Sequence, residues 1–166
     1  MPAWTLIILL APALGALAVC AVPAGRDALA RRIAVAATGI SLLGALVVAA
    51  TYDTALGGYQ HAVQMPWIPS LGIGLHLGVD GISAILVLLH AFCAFTGVLM
   101  SYGIRDRVKE YFIFYLLLIT GVFGVFLSLD LFFFYFFYEM AVIPMYPLIG
   151  IWGSDVKEEG RVRFSK

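Results

Sequence analysis

The sequence predicts an all-α protein: a polytopic transmembrane bundle of five helices, with a short β-like element in the outer loop between helices 2 and 3. Three observations predict it. Hydrophobic residues make up 63% of the 166-residue chain and charged residues only 12%, with a mean hydropathy of +1.01. A soluble domain is about a quarter charged, so lipid must serve as part of this chain's solvent. Five apolar runs have the length of a membrane span. All ten Lys and Arg residues fall on one side of those runs.

The runs are Leu6–Val22, Ile33–Thr51, Ile82–Tyr102, Tyr111–Leu129 and Leu131–Trp152. Each fits the roughly 17–25 residues that cross a hydrocarbon core. Only Asp130 separates the fourth from the fifth, which predicts a tight helical hairpin. Met1-Pro2-Ala3-Trp4 carries no positive charge ahead of the first run. That argues for a retained helix rather than a cleaved signal. No low-complexity segment and no clear internal repeat is present, and residues 1–166 read as a single membrane domain.

Tyr52–Asp80 is longer than an ordinary connection, so it should hold structure of its own. After Pro66 and Pro69, the residues Ile73, Leu75, Leu77 and Val79 alternate with Gly72, Gly74, His76 and Gly78. Period-two alternation following Pro and Gly predicts a short extended or hairpin element at the membrane surface.

Orientation follows from the basic residues. Arg26, Arg31 and Arg32 lie between runs one and two, and Arg105, Arg107 and Lys109 between runs three and four. Lys157, Arg161, Arg163 and Lys166 follow run five. Cytoplasmic loops are the ones enriched in Lys and Arg. The N-terminus and the Tyr52–Asp80 loop are therefore expected outside, and the C-terminal end in the cytoplasm or an equivalent compartment.

Composition excludes several functions. The formal net charge is zero, so bulk charge does not attract nucleic acid. Cys20 and Cys93 are the two cysteines, each inside an apolar run. They are too few, and expected to be too buried, for a disulfide framework or metal cluster. No phosphate loop, metal-ligand spacing or nucleotide fingerprint occurs. No cofactor is expected on this chain.

Glu139 is the residue that stands out. It follows Asp130 by nine positions, which places it ~13 Å along its helix and near the midplane of a ~30 Å hydrocarbon core. A charge at that depth costs at least about 2.5 kcal/mol, and intramembrane acids usually mark ion pathways. A buried carboxyl so placed can take up and release a proton. The plainer alternative is a neutral Glu bonded to a neighbouring helix. Tyr135, Val142 and Tyr146 share its helical face, as a polar track or as interface-seeking phenols. Pro144 and Pro147 then interrupt the backbone ladder and free carbonyls.

His90 is the second candidate, ten residues past Asp80. Ser83, His90, Ala94, Gly97 and Ser101 form one stripe of small and polar residues, which marks a helix–helix contact. His90 is either a neutral imidazole satisfied across that contact or a proton relay. Asp80, ahead of Gly81-Ile82-Ser83, reads as an N-cap. Asp130 sits at an outer helix end, and Arg105–Glu110 reads as a solvated turn.

The run Gly124–Phe132, then Phe136-Phe137-Tyr138-Glu139-Met140, Ile143-Pro144-Met145-Tyr146 and Leu148-Ile149-Gly150-Ile151-Trp152-Gly153, resembles one family. It is similar to the M subunit (chain 4) of proton-pumping NADH:quinone oxidoreductase, respiratory complex I. Leu75–Ser83 resembles the family's entry to its third helix, and Lys109-Glu110-Tyr111-Phe112 the start of its fourth. The resemblance covers nearly the whole chain. The first forty residues match in pattern only.

The resemblance implies an antiporter-like subunit of a membrane arm, working beside the other membrane-arm subunits. It implies that the glutamate at position 139 takes part in proton translocation and pairs with a lysine on a later helix. It implies an oxidoreductase complex whose NADH, FMN, iron–sulfur clusters and quinone lie on other subunits. The location to expect is the bacterial cytoplasmic (inner) membrane. Family members have about fourteen helices, so the chain reads as an N-terminal fragment that would not pump alone. Arg163-Phe164-Ser165-Lys166 resembles the lead into a sixth helix, and Lys166 matches a family lysine there. His90 departs from the small hydroxylated or apolar residue expected of the family. Two other readings stay open: a subunit of a cation/proton antiporter or membrane-bound hydrogenase, and a non-pumping structural element.

Overall fold

In the computed structural model, which describes residues 4–23, 25–156 and 162–164 and side chains as far as residue 153, five helices are long and apolar enough to cross a membrane. They are α1 (Trp4–Ala21), α2 (Asp27–Thr51), α3 (Gly81–Met100), α4 (Val108–Leu127) and α5 (Leu131–Trp152). The last matches its apolar run residue for residue. α2 begins six positions before its run, because Arg31 and Arg32 lie inside the helix rather than ahead of it. Long basic side chains reach back to the interface while their backbone continues the ladder, so hydropathy alone sets the start too late. α4 likewise starts at Val108 and ends at Leu127. A single 3-10 turn, Ser101–Gly103, finishes the third span.

The outer loop is a complete hairpin. β1 (Gln60–Ile68) pairs antiparallel with β2 (Ile73–Val79) across a 3-10 turn at Pro69–Leu71. Gly72 closes that turn at φ 69°, the left-handed conformation that favours glycine. The alternation of residues 72–79 marks β2. Of the extended or hairpin element expected, the hairpin is what forms; the bounds of β1 were not readable, since it carries Pro66 and shows no alternation in its burial. The hairpin is tied to the bundle at two places. Thr5 Oγ1 donates to the His61 carbonyl (3.1 Å), and the Leu129 amide donates to the His76 carbonyl (2.7 Å). The link from α4 to α5, Ser128–Asp130, is therefore held against β2.

At the opposite end the basic turns knit together. Lys109 Nζ donates to the carbonyls of Cys20 (2.9 Å) and Val22 (2.7 Å), capping the C-terminus of α1, where a cation also meets the negative end of the helix dipole. Arg31 donates to the Ile104 carbonyl (2.6 Å). Trp152 Nε1 donates to the Asp106 carbonyl (2.9 Å), bringing the end of α5 to the same place. The four basic residues that follow α5 lie outside the described side chains.

The core sits where α1 packs against α2 and α4, and α2 against α3. Ser41 Oγ donates across the first contact to the Ile8 carbonyl (3.0 Å). Outside it lies a girdle of exposed Leu, Ile and Phe that suits lipid. Cys20 and Cys93 belong to that exposed surface. This corrects the expectation that they are buried: each lies inside an apolar run, but on the face turned away from the other helices. Short strands β3 (Ser154–Val156) and β4 (Val162–Phe164) pair after α5, which the sequence did not suggest.

Candidate functional site: the α5 acid and the α3–α4 polar seam

α5 is joined to the body on one side only. Phe137, Ala141 and Pro144 are its buried residues. They meet α4 at two glycines: a side-chain carbon on Gly124 would strike the Phe137 ring, and one on Gly121 would come within 2.6 Å of the Ala141 amide nitrogen. Small residues let helix backbones approach this closely in a membrane. Asp130 starts the helix by accepting the amides of Phe132 (2.8 Å) and Phe133 (3.2 Å). That cap fixes how far along α5 every later residue lies.

Glu139 is on the other side of α5. Its side chain is exposed, as are those of Tyr135, Tyr138, Val142 and Tyr146, the last at 85%. Within this chain no neighbouring helix covers the carboxylate. Glu139 is deep along the span but not covered by the other four helices. The reason is geometric: Gly121 and Gly124 take the Phe137–Ala141–Pro144 stripe of α5 into contact, and Glu139 lies off that stripe. Among the described residues it makes no hydrogen bond or ion pair. The face bearing it is mixed, with three tyrosines and one acid among apolar side chains. Pro144 and Pro147 cannot donate to the carbonyls of Met140 and Ile143, so backbone acceptors are freed within a turn of the acid.

His90 faces α4. Its Nε2 lies 3.4 Å from the Ile119 carbonyl, and its ring meets the edge of Phe123 at 4.6 Å between centroids. The stripe of small and polar residues on α3 does form a helix contact, and its partner is α4. Tyr115 Oη donates to the Ala94 carbonyl (3.1 Å), and its hydroxyl fills the space above Gly97. Ser101 Oγ and Tyr111 Oη share a hydrogen bond of 2.8 Å. Tyr111 and Tyr115 stack at 5.7 Å, nearly parallel. The result is a line of polar groups from His90 to Ser101 between two apolar helices. Tyr111 and Tyr115 were not singled out from the sequence; their i, i+4 spacing puts them on one face, but that this face meets Gly97 and Ser101 is seen only in the structure.

The structure does not join the two candidates. His90 bonds to the backbone of α4, whereas Glu139 projects away from the body on α5. Lys166 lies outside the described residues. No cluster of three His, Cys, Asp or Glu side chains forms among the described residues. Asp80 is the N-cap expected of it. It accepts from the Ser83 amide, and this bond, with Ser83's hydroxyl, holds its carboxyl below the ordinary carboxylate range.

Five helices long and apolar enough to cross a membrane, joined to a surface hairpin, define a multi-span membrane protein. Over 148 residues the chain is 36% identical to the NADH-ubiquinone oxidoreductase chain 4 of Arabidopsis thaliana, covering 89% of this chain and 30% of that protein. It is 38% identical to the NADH-quinone oxidoreductase subunit M of Rhodobacter capsulatus over 83% of its own length and 27% of the relative's. Among solved structures it is similar to a chain of respiratory complex I from Thermus thermophilus, with a TM-score of 0.74 and 31% identity, covering 92% of this chain and 30% of that one. A chain of an archaeal membrane-bound sulfane sulfur reductase shares the fold at a TM-score of 0.70 and 22% identity. No family model matches. The chain belongs to the subunit M, or chain 4, family of NADH-quinone oxidoreductases. It spans about 30% of the length of the relatives it matches.

Proposed function

We propose that this chain is part of a membrane-arm subunit of a proton-translocating NADH:quinone oxidoreductase, and that Glu139 carries a proton along the path. The observation that carries the reading is the position of Glu139. It is an acid partway along a 22-residue apolar helix, on a face that the chain's other helices leave open. An ionised carboxylate in lipid is costly. A further protein surface presenting a cation or a polar chain must meet it, and then the carboxyl can exchange a proton with its neighbour. On this reading the electron-transfer groups (NADH, FMN, iron–sulfur clusters and quinone) belong to other subunits. This chain supplies the proton step of the oxidoreductase and no redox step.

The basic turns at one end and the hairpin at the other support an orientation with the hairpin outside and the end of α5 inside, in a bacterial cytoplasmic membrane. The chain is the N-terminal part of a larger antiporter-like unit, with the Glu139 face as the boundary to the rest. Affinity purification of the tagged chain from its native membrane tests the assembly. Co-purification of quinone-reducing complex subunits is the expected result. Recovery with cation/proton antiporter subunits, or as a free five-helix bundle, contradicts the proposal.

A further inference from the structure

A cleft of about 410 Å³ opens at the basic end of the bundle, lined by Asp27, Ala28, Arg31 and Arg32 of α2 and by Tyr102. A second, almost wholly apolar groove of about 580 Å³ runs between α2 and α3, lined by Leu42, Leu46, Ile85, Leu88, Leu89 and Phe92. Both openings are lined by α2. Positions 28, 32, 35, 39, 42 and 46 repeat at four- and three-residue steps, with Arg31 beside them, so they share one stripe of α2. Val35 and Gly39 continue the line between the openings, and Phe95 of α3 lies over Gly39. The near edge of the groove, at Phe92 and Leu42, is ~15 Å along the helices from Tyr102 and the arginines. That is about the depth of one bilayer leaflet.

From this juxtaposition we infer that the α2–α3 seam binds one anionic phospholipid, its phosphodiester between Arg31 and Arg32 and an acyl chain running beside Phe95 toward the groove. The headgroup chemistry is specific. Arg31 is fixed by its bond to the Ile104 carbonyl and by the Tyr102 ring 5.4 Å from its guanidinium carbon. Its Nε–H is buried without an acceptor. Arg32 is exposed and forms no hydrogen bond among the described residues. Arg32 can therefore donate to a phosphate oxygen, and Arg31, held at the cleft wall, adds its charge. Asp27 lines the same cleft and opposes an anion. Two guanidinium groups against one carboxylate leave a single positive charge, which matches one monoanionic phosphodiester. Basic pockets at the cytoplasmic ends of transmembrane helices are suited to anionic headgroups. This inference does not depend on the role given to Glu139.

The test uses the full chain in phosphatidylcholine vesicles with Phe92→Trp as a fluorescent reporter in the groove, read against the unsubstituted chain. Phosphatidylglycerol with brominated acyl chains should quench the added tryptophan severalfold more, per mole fraction, than brominated phosphatidylcholine does. Arg32→Gln should abolish that preference, and Asp27→Asn should strengthen it. Excess inorganic phosphate should leave it intact. Equal quenching by the two lipids overturns the inference. So does a preference that survives Arg32→Gln, or one that free phosphate erases. If Arg32→Gln fails to fold by circular dichroism, Asp27→Asn decides, and an unchanged preference there overturns it.

Discussion

Asp80 and Ser83 hold one another across the first turn of α3. The Asp80 carboxylate accepts the Ser83 amide at 2.7 Å, and the Ser83 hydroxyl accepts the Asp80 amide at 2.8 Å. This reciprocal pair satisfies two amides that a helix start otherwise leaves open. Asp80→Ala should therefore destabilise the bundle by about 1 kcal/mol, and Asp80→Asn by less, in thermal unfolding in mild detergent. The carboxyl is held below its usual range when folded. Its contribution is then fully present above the ordinary carboxylate pKa of about 3.9. It is lost as pH falls through the lower folded value. The gap between wild type and Asp80→Ala should persist at neutral pH and close at strongly acidic pH.

Gly121 meets the backbone of Ala141, which cannot swing aside as a flexible side chain would. Gly121→Val should cost roughly 1–3 kcal/mol by overpacking and loosen α5 from α4. Gly150 has nothing within 4 Å of an added carbon. Gly150→Val is the matched control and should not destabilise. Denaturation in mixed detergent micelles, followed by tryptophan fluorescence, separates the two.

The polar seam should be worth little per bond. Interhelical hydrogen bonds in membranes average about 0.6 kcal/mol. Tyr115→Phe, which removes the bond to the Ala94 carbonyl, and Tyr111→Phe, which removes the bond to Ser101, should each cost about that much. The stacked pair should couple, so the double variant should depart from additivity in a double-mutant cycle. His90→Phe should be tolerated if packing against Phe123 dominates at that site.

Much of this was legible in the sequence, for identifiable reasons. Span length and one-sided charge are local signals, so the five helices and their common basic end could be read directly. Burial against a partner is not local. Cys20 and Cys93 sit in apolar runs yet face outward, because an apolar run in a membrane protein does not say which side meets protein. Glu139 shows the same limit: its depth follows from counting residues after Asp130, but its direction depends on Gly121 and Gly124 selecting the opposite stripe of α5. A hairpin was one of the two forms expected for the outer loop, but the bounds of β1 were not readable because its pairing with β2 is imposed across the turn rather than by its own pattern. The α3 stripe was readable, but its partner Tyr115 was not, since nothing in a single chain pairs one helix face with another.

The most direct test of the central claim is proton translocation by the assembled complex carrying Glu139→Gln in this chain, measured as quinone-dependent acidification in sealed vesicles. Native electrophoresis confirms that the complex remains whole. A loss of at least tenfold in proton translocation, with assembly preserved, is the expected result. Translocation unchanged by Glu139→Gln in an intact complex would contradict it, leaving Glu139 as a surface acid that the neighbouring protein merely covers.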